Sequence, residues 1–363
     1  MKTKIFSLFS LSVFAASSAF AVDTFFFTGS DSGVNDANDR SQWVQLSSYN
    51  SSGDTFLFKL FPTGTDDRLS ADKGNNPAGV IAADQSNPIT AETDVIFNRY
   101  TLGELQSDGS VAFGSVVKEA RPIVFSSDFT ARNMRMRIND NATFQFAGTG
   151  DVTLSFQQMQ FDYISRMYLT KTTANTANLN VAGDFIVRGG NRVDLGSADG
   201  FMDNVNVGAF RVCENSNVAF NVYARKVDAA SLTLVNSDAS KVSTLSLFVG
   251  ALDAGDASFY FGTAKKAADS VINVDFSYLD AGAVGAGEYK IFSVDSWSEG
   301  FAESGSLADF NINDDILNAM GIEHSFDWDG QNLVLNVAVP EPSAFAALFG
   351  AIALMFAARR GRK

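Results

Sequence analysis

Short runs in which apolar and polar residues alternate recur through the central part of the chain, and they predict β-strands. Apolar side chains occupy every second position in residues 134–138, 144–146, 152–156 and 259–261. A period of two places the apolar side chains on one face of a strand and the polar ones on the other. Gly, Asn, Asp and Ser separate the runs, as they do in turns. The pattern predicts an all-β body, with one helical turn at residues 314–320.

The spacing of these strands favours a solenoid. A first series of strands begins at residues 179, 205, 232 and 259, and a second at 193, 218, 245 and 272, in steps of 25 to 27 residues. A third strand fits between them at residues 185–187 and 210–212. A nearly constant period is what the coils of a parallel β-helix require, because stacked coils share one apolar interior. We therefore expect a right-handed parallel β-helix, the hand that parallel crossovers adopt, and the alternative is a β-sandwich.

The period divides the body into two predicted parts. Residues 22–120 lack it and are predicted to form an N-terminal β cap that shields the first coil from edge pairing. Residues 121–338 are predicted to form the solenoid. Strands at 289–294 and 333–337 are predicted to form a sheet that closes its far end. A turn at residues 327–330 precedes the last strand, and its glycine suits a positive φ.

The start of the chain has the three parts of a secretory signal peptide. A basic beginning and a largely apolar run at residues 5–14 precede Ala19 and Ala21, which bracket a small-x-small cleavage site. We expect signal peptidase to cut before Val22 and to remove residues 1–21. The protein is therefore predicted to be exported.

The end of the chain, residues 339–363, reads as a second targeting segment and has three parts. The first part consists of Val339, Pro340, Glu341, Pro342 and Ser343, and the third is the basic cluster Arg359, Arg360, Arg362 and Lys363. Between them, residues 344–358 are apolar and as a helix would be ~22 Å long, shorter than the ~30 Å hydrocarbon core of a bilayer. Flanking arginines can snorkel and the bilayer can thin, so we expect a C-terminal transmembrane helix with its basic end in the cytoplasm.

This tail resembles the PEP-CTERM sorting signal of Gram-negative bacteria in all three of its parts. The resemblance implies export, transient anchoring in the inner membrane, and processing near the Pro-Glu-Pro motif by a membrane protease called an exosortase. Family members typically end at the cell surface or in the extracellular polysaccharide matrix. Residues 340–342 would then be recognised by another enzyme and would not be catalytic. The strand pattern of the body also resembles the autotransporter-like β-helical surface proteins that often carry such a tail.

Composition and charge exclude several kinds of function. The 363 residues include one Cys and one His, which excludes metal clusters built on Cys or His, thiol–histidine pairs and internal disulfides. Six of the 27 Lys and Arg residues and one of the 41 Asp and Glu residues lie in the two ends, which leaves residues 22–339 with a net charge of −19. A surface this acidic repels phosphate backbones, so no nucleic-acid partner is expected.

Acidic residues are the remaining source of chemistry, and they predict no catalytic site. Asp327 and Asp329 have the spacing of one strand face but fall in the predicted turn, where Asp is common for its own hydrogen bonds. The lone His324 has no Gly-x-Ser-x-Gly motif near it. The protein is therefore expected not to be an enzyme.

A calcium site is the one cofactor candidate. The candidate ligands are Asp31, Asn35, Asp36 and Asp39. They lie in an oxygen-rich run, and calcium requires hard oxygen ligands. The run lacks the EF-hand spacing, and the chain lacks the Gly-Gly-x-Gly-x-Asp repeat of calcium-binding solenoids. The motif support for calcium is therefore weak.

Two functions remain. The first is an exported structural or adhesion protein of the cell surface or extracellular matrix, sorted through its tail and in contact with extracellular polysaccharide. The second is a carbohydrate-active enzyme or a carbohydrate-binding protein on the same β-helix scaffold. An enzyme should present two carboxylates about 5–10 Å apart in a groove flanked by Trp or Tyr, whereas a structural rod should present a plain polar face.

Overall fold

The structure is a computed structural model, and it describes most of the body of the protein. The described residues are 24–27, 34–46, 80–81, 88–98, 100–105, 111–116, 122–137, 141–162, 166–188, 192–214, 218–234, 243–266, 272–280, 284–299 and 307–338. The predicted signal peptide, residues 1–21, and the predicted sorting tail, residues 339–363, lie outside them.

The described chain is built almost entirely from β-strands. The strands are β1 (Thr24–Phe27), β2 (Asn35–Asp36), β3 (Trp43–Leu46), β4 (Val80–Ile81), β5 (Asp94–Asn98), β6 (Tyr100–Leu105), β7 (Val111–Val116), β8 (Ile123–Phe125), β9 (Phe129–Arg137), β10 (Asn141–Phe146), β11 (Val152–Asp162), β12 (Arg166–Lys171), β13 (Ala177–Arg188), β14 (Arg192–Leu195), β15 (Met202–Glu214), β16 (Ala219–Leu234), β17 (Thr244–Phe248), β18 (Phe259–Lys266), β19 (Ile272–Asp275), β20 (Gly287–Glu299), β21 (Phe310–Asn313), β22 (His324–Trp328) and β23 (Asn332–Val337). Two short 3-10 turns, Arg40–Gln42 and Leu307–Asp309, and one α-helix, α1 (Asp315–Ala319), complete the regular structure of these residues.

Successive strands alternate between two parallel arrays. The long-strand sheet has the parallel order β1-β5-β9-β11-β13-β15-β16-β18-β20. The short-strand sheet has the parallel order β2-β8-β10-β12-β14-β16-β17-β19-β21. β16 belongs to both, because its first residues pair in the short-strand sheet and the rest pair in the long-strand sheet. The two arrays therefore join into one curled sheet.

Apolar residues at alternate positions fill the space that the curled sheet encloses. One inward row of the long-strand sheet consists of Phe129, Leu154, Leu179, Val205, Val227, Phe259 and Phe292, all of them buried. The matching row of the short-strand sheet consists of Phe144, Leu169, Leu195, Val222, Leu247 and Val274, which are also buried. Each strand shares its inward contacts with the strands stacked on either side, so the coils stabilise one another.

The architecture confirms the all-β, solenoid-like class. Its parallel pairing is typical of stacked coils, whereas the sheets of a β-sandwich are antiparallel. Antiparallel pairs join β1 to β3, β3 to β4, β6 to β7, β20 to β23 and β22 to β23. Because β1 and β5 already pair in parallel with the strands that follow, the parallel array reaches into the region predicted as the cap. The division at residue 120 stays a prediction.

The closing end of the body follows the sequence pattern. The predicted helical turn is α1, and the predicted closing sheet is the antiparallel pair β20–β23. Gly330 has a φ of 98°, the positive value expected of it. The turn is shorter than predicted, because Asp327 lies within β22.

The register of the coils confirms the predicted period in part. Leu179 pairs with Val205, and Leu245 pairs with Ile272, as expected. Leu232, predicted to follow Val205, instead pairs with Phe210, because β16 passes from one sheet to the other without a loop. In the second series, Val193 was predicted to align with Val218, but it pairs with Phe220.

The predicted third strand is not separate from the first series. Residues 179–181 and 185–187 both belong to β13, and a register shift between Val181 and Asp184 separates them. The residues at 210–212 are likewise the second half of β15, and Phe185 pairs with Phe210 as predicted. Each coil in this part of the body therefore contains one short strand and one long, bent strand.

Candidate functional site

A groove of about 530 Å³ runs along the outer face of the long-strand sheet. One register row of outward-facing residues crosses it, formed by Thr130, Ser155, Asn180, Asn206 and Asp228. These residues alternate with the inward apolar row, so the same period that fills the core also repeats a polar position on the outside. The groove therefore presents a row of hydroxyl and amide groups with one carboxylate at its end.

The bend of the long strands shapes the floor of the groove. The register shift in β13 follows Val181, and small residues line the groove beside it, namely Ala182, Gly208 and Ala230. A Cβ atom at Gly208 would lie 2.5 Å from the carbonyl oxygen of Ala182. A side chain there would force the two coils apart, so glycine is required for their close approach.

Asparagine side chains form two hydrogen-bonded pairs on this face. The Asn204 amide donates to Asn178 Oδ1 at 2.8 Å, and the Asn206 amide donates to Asn180 Oδ1 at 2.8 Å. A primary amide has two N–H donors and an oxygen with two lone pairs, so each pair uses only part of its capacity. The remaining donors and acceptors can bind a hydroxyl-bearing ligand in the groove.

A polar pocket of about 340 Å³ continues from the groove at Asp228, which lines both. Tyr260 is the register partner of Asp228, and its hydroxyl donates a 2.6 Å hydrogen bond to Asp295 Oδ2. This hydrogen bond raises the pKa of Tyr260, because it stabilises the protonated phenol beside a carboxylate. Lys290 and Asn332 line the pocket from the closing sheet.

An exposed ion pair borders the polar pocket. Lys226 Nζ lies 2.7 Å from Asp256 Oδ2, and this hydrogen bond raises the pKa of Lys226 and lowers the pKa of Asp256. Both side chains are well exposed, so solvent screens the pair and it contributes little to stability. The pocket also carries the carboxylates of Asp228 and Asp295, which can accept hydrogen bonds from sugar hydroxyls.

The paired acids weighed from the sequence stabilise the closing sheet. Asp327 Oδ2 accepts a 2.7 Å hydrogen bond from the Asn336 side chain on the neighbouring strand. Asp329 Oδ1 accepts from the backbone N–H groups of Gln331 and Asn332 at 2.8 and 2.7 Å. Burial raises the pKa of Asp329, but the hydrogen bonds from Asn332 and from these backbone groups outweigh it, so the pKa lies below its usual value.

His324 also has a structural environment at the closing end. Its Nε2 lies 2.9 Å from Asp314 Oδ2, and its Nδ1 lies 2.8 Å from the carbonyl oxygen of Ile322. Both ring nitrogens are therefore engaged within the closing end. This arrangement joins α1 to β22 and leaves neither nitrogen directed at the groove.

The calcium candidates are only partly within the described residues, which include Asn35, Asp36 and Asp39 but not Asp31. Asp36 Oδ1 accepts from the backbone N–H of Asn38 at 3.0 Å, and its Oδ2 accepts from the Ser126 hydroxyl at 2.8 Å. Asp39 Oδ2 accepts from the Gln42 side chain at 3.1 Å. The contact with Ser126 joins the acidic run to the segment after β8. Within the described ranges, no group of three or more His, Cys, Asp or Glu side chains is placed to hold a metal ion.

The predicted processing residues lie outside the described residues. They are Ala19, Ala21 and Val22 at the signal cleavage site, Val339, Pro340, Glu341, Pro342 and Ser343 at the sorting motif, and Arg359, Arg360, Arg362 and Lys363 in the basic cluster. Among the residues that the structure does describe, no helix has the length and apolar character needed to cross a membrane.

Sequence reasoning did not single out the groove, although one signal for it was present. The outward pair Asn178 and Asn180 is repeated by Asn204 and Asn206 one period later, in register on the same face. Tyr260 carried no such signal, because the period changes at β16. The groove, whose lining is mainly apolar around its one polar row, meets the polar pocket at Asp228. No family model, curated protein or solved structure matches the chain.

Proposed function

We propose that this chain is an exported structural or adhesion protein of the cell surface or extracellular matrix, sorted through a PEP-CTERM tail. Signal peptidase and an exosortase-type protease would process it, the inner membrane would hold it transiently, and extracellular polysaccharide would be its partner afterwards. The tail is the observation that carries the proposal. A Pro-Glu-Pro core, an apolar span and a basic cluster follow one another within residues 339–363.

The body supports this role as a right-handed parallel β-helix. Parallel strands joined by crossovers adopt the right hand almost without exception. Stacked coils make an elongated, self-supporting body whose outer faces repeat the same polar positions. The groove row from Thr130 to Asn206 is uncharged, so it suits a neutral, hydroxyl-rich polymer better than it suits a charged substrate.

The mass of the mature protein tests the proposal. The protein is isolated from the medium, the outer surface and the inner membrane of the bacterium that makes it, and its intact mass is measured. We expect a surface or medium species that begins at Val22 and ends between Pro340 and Ser343. A chain that retains Lys363 and occurs only in the inner membrane would overturn the sorting proposal.

A matched pair of variants ties the result to the motif. Glu341→Ala removes the central acid of the Pro-Glu-Pro core and should leave the unprocessed chain in the inner membrane. Lys363→Arg keeps the basic end and should be processed like the natural sequence. Equal processing of both variants would show that the motif does not direct cleavage.

The polar pocket favours a second candidate function, that of a carbohydrate-active enzyme. The observation that favours this function is the pair of carboxylates, Asp228 and Asp295, which line one pocket with Tyr260. Release of new reducing ends from neutral polysaccharides is the readout, with Asp228→Asn and Asp295→Asn as variants and the exposed Asp253→Asn as the control. Activity that is lost in the first two variants and kept in the third would establish the enzyme, and the absence of release by the natural sequence would exclude it.

A further inference from the structure

Four aromatic side chains form a cluster on the outside of the body, at the edge of the short-strand sheet. This aromatic platform consists of Phe201, Tyr223, Phe248 and Tyr278. Tyr223 and Phe248 follow the inward residues of β16 and β17, so they belong to the outward face. Their rings are stacked with centroids 4.0 Å apart and planes at 1°. Tyr278 contacts all three of the other rings at 5.7 to 6.1 Å.

Two glycines allow the backbone to approach two members of the platform closely. Gly196 has a φ of 82°, and a Cβ there would lie 2.1 Å from the carbonyl oxygen of Tyr223. A Cβ at Gly250 would lie 2.7 Å from the ring of Phe201. The backbone of two different turns therefore approaches the platform closely. Rings held in this way lose little conformational entropy when a ligand binds, which favours recognition.

The rings of the platform differ in exposure. Tyr278 is 41% exposed. Tyr223 is 9% exposed, so its ring supports Tyr278 from below. An aromatic side chain that is well supported yet exposed is typical of a contact surface.

Hydrogen-bonding groups surround the platform. Asp194 Oδ1 accepts from Arg192 Nε at 2.9 Å and from the Asn221 amide at 2.7 Å. Asn221 lies two residues before Tyr223, on the same face of β16, and Asp275 is the register partner of Phe248. Burial raises the pKa of Tyr223, and the neighbouring Tyr278 raises it further. The platform thus combines apolar ring faces with a rim of acceptors and amide donors.

We propose that the aromatic platform binds an uncharged polysaccharide, with one sugar ring against Tyr278 and its hydroxyls on the rim of Asn221 and Asp275. A pyranose ring has an apolar C–H face and a border of hydroxyl groups, and the platform offers the complement of both. The chain has a net charge of −14, so an anionic polymer would be repelled. The inference rests on the proposed function, because it names the class of polymer that the exported protein would contact.

Native affinity electrophoresis of the full-length chain in mild detergent tests the inference. The gels contain hydroxyethyl cellulose, galactomannan or dextran as neutral polymers, or alginate as the anionic control. We expect retardation by at least one neutral polymer and none by alginate. Tyr278→Ala should weaken that binding by about threefold to tenfold, the effect of losing one aromatic contact, whereas Tyr278→Phe should keep most of it. Met320→Ala, which shortens an exposed apolar side chain at the end of α1, is the control and should bind like the natural sequence, whereas Tyr260→Ala tests the polar pocket as the alternative binding position.

Three results would overturn the inference. They are the absence of retardation by every neutral polymer, equal retardation of Tyr278→Ala and the natural sequence, and a loss of binding in Tyr260→Ala alone, which would place the polymer in the polar pocket. Circular dichroism of each variant establishes that the fold is retained. Tail processing is measured separately by mass, so a failure of the sorting proposal and a failure of the platform are distinguishable.

Discussion

The aromatic rings inside the coils and those on the aromatic platform differ in environment more than in spacing. Inside, successive rings have centroids 5.5 to 5.8 Å apart, in the order Phe97, Phe144, Phe161, Phe185 and Phe210. All five are buried. On the platform the centroids are 4.0 to 6.1 Å apart, but Tyr278 has much of its surface in water.

The difference teaches that ring contacts have two uses in this fold. An inner ring is enclosed on all sides, so its apolar surface contributes to the free energy of unfolding. An exposed ring contributes less to folding and keeps its surface for a partner. The inner row consists of Phe, whereas the platform includes Tyr223 and Tyr278, whose hydroxyl groups can form hydrogen bonds at its surface.

The largest expected effect comes from the inner row. Phe185→Ala removes a fully buried ring that lies between Phe161 and Phe210, and it should lower the free energy of unfolding by about 3–5 kcal/mol. Urea unfolding followed by circular dichroism measures the loss. Phe185→Leu is the control and should lose clearly less, because it leaves a smaller cavity. A loss below about 1 kcal/mol for the alanine variant would show that the inner rings do not stabilise the coils as described.

A substitution at Gly250, which lies against the Phe201 ring of the platform, should have an intermediate effect on stability. Gly250→Ala places a methyl group against the ring of Phe201, which must shift, and we expect a loss of about 1 kcal/mol together with weaker retardation by the neutral polymer. Gly255→Ala is the matched control, because a Cβ at Gly255 has open space around it. Unfolding curves and affinity gels of the two variants are compared. If both behave alike, the close approach of Gly250 does not position the platform.

The platform should also make the stability of the fold depend on alkaline pH, which the inner phenylalanines cannot do. Burial, with Tyr278 and the nearby carboxylates, raises the pKa of Tyr223 above its ordinary value of about 10. The stabilisation is therefore fully present below about pH 10 and is lost as the pH rises through the raised pKa, because the unfolded chain ionises first. Tyr223→Phe should flatten this fall in unfolding curves measured from pH 8 upward. The same curves are measured for Tyr260→Phe, because the pKa of Tyr260 is raised as well and its part of the fall must be separated from that of Tyr223.

The sequence predicts the class of the fold well, because alternation is a local property. Leu179 and Val205 were paired correctly, since both lie in strands of regular period. The error at Leu232 has a physical cause, because β16 omits the loop between the two sheets and shortens the step from Val205 to Val227 to 22 residues. Moving a strand by two residues keeps the same side chains inward, so alternation alone could not choose between Val218 and Phe220.

The platform was harder to predict than the core, because its members come from different kinds of structure. Tyr223 lies within β16 and Phe248 ends β17, whereas Phe201 directly precedes β15 and Tyr278 lies in the turn after β19. Their separations of 22, 25 and 30 residues bracket the coil period, but no local pattern joins them. Stacking of the coils brings them together, and this depends on the register that sequence reasoning fixed only in part.

The smallest expected change in stability belongs to the residue with the largest expected role in binding. Tyr278→Ala removes an exposed ring and should change the free energy of unfolding by less than about 0.5 kcal/mol, as for most surface substitutions. Urea unfolding of this variant beside Phe185→Ala measures the contrast directly. A loss comparable to that of Phe185→Ala would mean that the platform is an outer extension of the core, and the exposed face of Tyr278 would then be incidental to its packing. A small loss with weakened polymer binding would separate the two regions, because the same type of contact would then serve folding inside the coils and recognition outside them.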